Sequence, residues 1–167
     1  TCVDPEGCPL AYRVFDALKP AIEATPAMRH RVRLVTLSFD PAVDTPAAIE
    51  SLRERAGTDA SLPTGFLATV TRGMRGEELT DMVELADAGA VGFSDDGLPI
   101  RSGRVMRRAL QYQALAGGQI ALHEEDPELS GKGVMHEGDV SALVGMEGVP
   151  AISESTMIAR DAALAAY

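Results

Sequence analysis

Tryptophan is absent from this chain, aromatic residues make up only 4% of it, and cysteine occurs just twice. With so few large rings, Leu, Val, Ile, Met and Ala must fill any core. The two cysteines, Cys2 and Cys8, are too few for a disulfide framework. They fit either a redox or metal pair or two thiols near a chain end. No apolar run approaches the roughly 20 residues of a transmembrane helix, so no membrane span is expected. Positive charge is also in deficit. The formal net charge of −10 repels phosphate backbones, and no basic stripe is interleaved with aromatics. Nucleic acid is therefore excluded as an expected partner. The chain begins at Thr1 without a signal-like apolar segment, and reads as a fragment or processed product.

What is present is an ordinary globular balance, 46% hydrophobic and 24% charged over 167 residues, enough for one buried core. Ala11, Val14, Phe15 and Leu18 fall at helical spacing after Pro9, with Pro20 expected to kink or end that helix. Residues 32–39 are rich in β-branched and aromatic side chains and read as a strand. Thr45-Pro46 then signals a helix start, with Ile49 and Leu52 facing inward and Gly57 near its end.

The same cycle repeats along the chain. Strands are expected at 66–70, 90–93 and 119–122. Between them lie a helix with Leu79, Met82, Val83 and Ala86 inward and a helix capped by Ser102, with Val105, Ala109, Tyr112 and Ala116 inward. A Gly-rich loop follows, and Ser153 or Ser155 opens a last helix towards Tyr167. Short apolar strands alternating with helices predict the α/β class, built from parallel β/α units with both sheet faces covered. Four strands cannot close an eight-stranded barrel, so the pattern fits an open sheet or an incomplete barrel.

In such architectures polar side chains gather where strands end. The strand at 90–93 runs into Ser94-Asp95-Asp96-Gly97, and the strand at 119–122 into His123-Glu124-Glu125-Asp126. One β/α unit separates Asp96 from His123, so both would stand on one rim, on strands roughly 5 Å apart. A carboxylate and an imidazole there are ligand types that Zn²⁺ accepts. The alternative is structural: Asp-Asp-Gly as a turn whose carboxylates bind nearby N–H groups, and a hydrogen-bonding His at a strand end. Glu124-Glu125-Asp126 reads as a solvated loop, His136 as part of a loop over the rim, and His30 as solvent-facing.

The segments LPTGFLATVTRGMRGEEL, AGAVGFSDDG, RRALQYQALAGGQIALHEEDPELSG, GVMHEG and SESTMIARDAALA resemble successive stretches of bacterial dihydroorotases, from about residue 43 to 167. The resemblance implies the third to fifth β/α units of a (β/α)8 TIM barrel. It also implies a small-molecule substrate, since that family interconverts carbamoyl aspartate and dihydroorotate in pyrimidine biosynthesis. By the same resemblance Asp96 and His123 are metal ligands, zinc is the cofactor and the setting is cytoplasmic. The family's His-x-His pair and neighbouring Arg have no counterpart here, and its later His and proton-shuttling Asp would follow Tyr167. Two of about five or six ligands remain, so activity of the chain alone is not expected.

CVDPEGCPLAYRVFDAL followed by VRLVTLSFDPAVDTP is similar instead to the thioredoxin-like Sco/SenC copper-handling proteins. That implies copper at Cys2 and Cys8, and a periplasmic setting if this part dominates, although the pair is spaced more widely than is usual there. The expected organisation is thus a Sco/SenC-like segment at 1–42 joined to a partial dihydroorotase-like barrel at 43–167. The join would fall between Asp40-Pro41 and Thr45-Pro46. Three functions remain in competition: an amidohydrolase remnant, a copper or thiol module, and an inactive partial barrel that self-associates through open sheet edges.

Overall fold

The computed structural model of the chain describes residues 17–29, 45–59 and 65–167. Cys2, Cys8, His30, the strand expected at 32–39 and the junction residues before Thr45 lie outside the described residues. So does the start of the helix after Pro9. What is described there is helical over 17–24 (α1) and again over Pro26–Arg29 (α2). The break falls at Thr25, later than Pro20, because the residue before a proline is pushed away from the helical conformation. Leu18, expected to face inward, is exposed.

Helix α3 (Pro46–Asp59) starts as its Thr-Pro signal predicts, with the Thr45 hydroxyl accepting from the Ala48 N–H at 3.4 Å. Ile49 is fully buried. The helix continues two residues past Gly57, and the Thr58 hydroxyl donates to the Glu54 carbonyl at 3.0 Å.

The central unit is a parallel sheet in the order β1 (Leu67–Ala68), β2 (Gly92–Phe93), β3 (Gln119–Ile120). Helix α4 (Met82–Asp87) connects the first two strands and α5 (Gly103–Ala116) the second two. These strands are shorter than their apolar runs. Single bonds extend the pairing at either end: Val91 N–H to the Phe66 carbonyl at 2.9 Å, Ser94 N–H to Ala68 at 2.8 Å, Ala121 N–H to Phe93 at 2.8 Å.

Ser102 caps α5 as expected, its hydroxyl accepting from the Val105 N–H at 3.3 Å. Leu79 lies outside α4, bridged to Thr71 in antiparallel fashion, because Asp81 caps the helix by accepting from the Glu84 N–H at 3.1 Å. The core forms between this sheet and its helices, from Ile49, Phe66, Val70, Met82, Leu85, Phe93, Ile100, Met106 and Ala109.

A second unit occupies the stretch expected to be loop. Helix α6 (Pro127–Ser130) leads to β4 (Met135–His136), α7 (Asp139–Val144) and β5 (Gly148–Val149), and β4 pairs in parallel with β5. Elements of two to six residues are too short to show a hydrophobic period, so this unit had no signature in the sequence. Helix α8 (Ile152–Ala166) follows and packs on α5 and α6. It opens ahead of Ser153, which is buried in its first turn and donates to the Pro150 carbonyl at 2.8 Å. The α/β class and parallel pairing match the sequence reading. Among the described residues, the three-stranded and two-stranded sheets are both open rather than closed into a barrel. Nor is any described helix long and apolar enough to cross a membrane.

Candidate functional site

Strand register decides where the expected ligands stand. Ala68 pairs with Phe93 and Phe93 with Ile120. Thr71, Asp96 and His123 each follow one of these paired residues by three positions, past the C-terminal ends of three neighbouring parallel strands. Asp96 has a left-handed backbone, φ 54°. Among non-glycine residues that conformation is uncommon and is held only where the surroundings demand it. The surroundings here are a tight turn: the Ser94 hydroxyl accepts from the Asp96 N–H at 3.0 Å, and Leu98 N–H reaches the Asp95 carbonyl at 3.1 Å.

Asp95 explains why the turn is fixed. Only 4% exposed, its carboxylate accepts from the Val70 N–H at 2.8 Å, the Thr71 N–H at 2.9 Å and the Thr71 hydroxyl. These charge-assisted bonds tie the end of β2 to the end of β1. Thr71 passes the tie onward, its hydroxyl accepting from the Gly76 N–H at 2.8 Å. In the turn so held, Gly73, Met74 and Gly76 all have positive φ. The Asp-Asp pair therefore divides its work. The Asp95 carboxylate binds backbone beyond the end of the neighbouring strand, and Asp96 is left at the rim.

His123 is half-exposed, and its Nε2 lies 3.7 Å from a Glu125 carboxylate oxygen. It opens on a cleft of about 310 Å³ lined also by Arg75, Gly97, Arg101 and Glu125, so the histidine and the residue after Asp96 share one wall. Arg101 is paired with Glu128 across the mouth.

Glu124 departs from the solvated loop expected of its acidic run. One of its carboxylate oxygens is buried without a hydrogen-bond partner. Burial first, and the Asp161 carboxylate second, push its carboxyl above the usual carboxylate range. Asp126 caps α6, accepting from the Glu128 N–H at 2.8 Å. His136 is in β4 rather than in a loop over the rim. It faces a separate cleft of about 510 Å³ with Glu125 and Glu154.

Asp96 and His123 are right in kind for a divalent metal. Yet among the described residues no group of three or more His, Cys, Asp or Glu stands close enough together to hold one. A zinc site with an open position takes three protein ligands. The donor set is thus incomplete within the described residues. Thr71, Asp95, Arg160 and Asp161 were missed at the sequence level. Their partners lie 24 or more residues away, or, for the Arg160–Asp161 pair, depend on how a helix docks. The one available signal was that Asp95 sits at a strand end.

Comparison with known proteins adds the family. Residues 31–167 match the family described as Dihydro-orotase-like. The chain belongs to that family. Among similar proteins is the dihydroorotase of Pelotomaculum thermopropionicum, 44% identical over 125 residues, which covers 75% of this chain and 29% of that protein. The dihydroorotase of Trichlorobacter lovleyi is 40% identical over 127 residues, 76% of this chain and 30% of its own. That of Thermoanaerobacter is 35% identical over 153 residues, 90% of this chain and 35% of its own. The chain therefore spans 29 to 35% of the length of these dihydroorotase relatives. The match begins at residue 31, ahead of the boundary expected at residue 43, and covers part of the segment expected to be Sco/SenC-like.

Proposed function

We propose that this chain is the part of a dihydroorotase-type cyclic amidohydrolase that contributes Asp96 and His123 to a zinc centre. What supports the reading is that both residues follow the C-terminal ends of adjacent parallel strands, Asp96 three residues after Phe93 and His123 three after its register partner Ile120. The substrate class is a small cyclic amide and its ring-opened carbamoyl amino acid, after the names of the relatives. Bound zinc would lower the pKa of a water towards neutrality and polarise the scissile carbonyl.

The chain's own residues act around it. Asp96 and His123 supply two donors, and a Glu125 carboxylate oxygen lies 3.7 Å from the imidazole Nε2, beyond hydrogen-bond reach. Arg75 lines the same cleft, beside Arg101 with its Glu128 partner and opposite in charge to Glu125, and can meet a substrate carboxylate. Two donors hold zinc weakly, so the chain by itself does not turn over dihydroorotate.

Metal analysis after equilibration with Zn²⁺ tests this. Weak zinc binding by the chain at equilibrium, lost in both Asp96→Ala and His123→Ala, is the expected result. Zinc that survives both substitutions, or copper lost only in a Cys2/Cys8 double variant, would overturn it. Dihydroorotate hydrolysis abolished by His123→Ala would contradict the expected inactivity of the chain alone.

A further inference from the structure

Helix α8 begins 56 residues after Asp96, yet its Arg160 binds the segment that follows that aspartate. The guanidinium Nη1 donates to the Arg101 carbonyl at 2.9 Å and Nη2 to the Ile100 carbonyl at 2.8 Å. Its Nε and Nη2 also donate to the two Asp161 oxygens at 2.6 and 2.9 Å. Asp161 is only 4% exposed. Its carboxylate raises the arginine's pKa further above an already high value, so the charge is permanent.

The geometry points to Arg160 as the positioning residue of the rim: a planar clamp that fastens the segment ending at Ile100 and Arg101 to α8 and so fixes the turn that carries Asp96. The inference rests on the proposed function for its purpose, though not for its geometry. Asp95 anchors the front of the turn to β1, and Arg160 anchors its back to α8. Between the two anchors lies the left-handed Asp96. Lysine cannot replace the clamp, because one ammonium cannot serve two carbonyls and both oxygens of a carboxylate in a single plane.

Two measurements on the wild-type chain and Arg160→Lys test this. Amide hydrogen exchange over 96–101 should rise at least tenfold in the variant while exchange at Val70 and Phe93 stays unchanged. Co²⁺, used alone as a probe, should bind the variant about tenfold more weakly and with an altered visible spectrum. Unchanged exchange at 96–101, or a rise shared equally by the whole chain, overturns the inference. If wild-type protein binds no Co²⁺, the proposed function fails and the exchange result alone decides the clamp. Should Arg160→Lys fail to fold, guanidinium NMR of the wild type decides instead. Resolved, slowly rotating Arg160 signals support the clamp, and averaged signals like those of exposed arginines refute it.

Discussion

The β1–β3 unit and the β4–β5 unit use the same parallel β/α connection and end in opposite states. In the first, the strands and helices interlock around Phe93, Met82, Leu85 and Met106. In the second, Val134, Val140, Leu143, Val144 and Met146 are all exposed, and the side chains buried within it and α6 are the polar Ser130 and Ser141. Apolar residues alone do not make a core; helices packed on one another over a sheet do. Helices α4 and α7 both run 6 residues, but α4 packs on the 14-residue α5 and buries Met82 and Leu85, whereas α7 buries Ser141.

The largest effect should come from the first unit. Phe93→Ala removes a fully buried ring and should cost about 3–5 kcal/mol. That is most of the margin a small domain has, and urea titration would read it as a collapsed midpoint. Next is Asp95→Ala, which strands two buried N–H groups and the Thr71 hydroxyl. It should cost about 2–3 kcal/mol, with the main loss of exchange protection at Val70 and Thr71. A cost confined to the β4–β5 unit would contradict the division drawn here.

A smaller change concerns Asp81, which accepts from the Tyr112 hydroxyl at 2.8 Å and caps α4. The Tyr112 bond first, and the Glu84 N–H second, hold its carboxyl below the usual range, and Asp81 in turn raises the Tyr112 phenol. A lowered native pKa means the group supports the fold above its unfolded value. That support is withdrawn as the pH falls through the native value. Asp81→Asn should therefore lower Tm by a few degrees at pH 7 and by much less under strongly acid conditions. A difference that grows with acidity would have the wrong sign. The smallest effect belongs to the second unit. Leu143 is 85% exposed, so Leu143→Ser should change stability by less than about 0.5 kcal/mol. A loss above about 1 kcal/mol would show that this face is covered.

The same contrast marks what could be read from sequence. Helices α3 and α5 were legible because 14 residues carry several turns of periodic burial, and α8 from a serine near its start. The Ser102 cap was legible because its signal is local. That Asp96 and His123 both follow strand ends was legible because one β/α repeat returns the chain to the same side of the sheet. The β4–β5 pair was hidden by its brevity, and Glu124 by an acidic run that resembles solvated loop. Arg160 reaches carbonyls 59 and 60 residues away, a distance that no local pattern encodes.

The account turns on whether Asp96 and His123 grip one ion, and imidazole NMR during Zn²⁺ addition tests that most directly. His123 ring nitrogens should shift with the Asp96 amide in one saturable step, while His136 in the other cleft stays still. A His123 signal that ignores zinc, or a His136 shift of equal size, would contradict it.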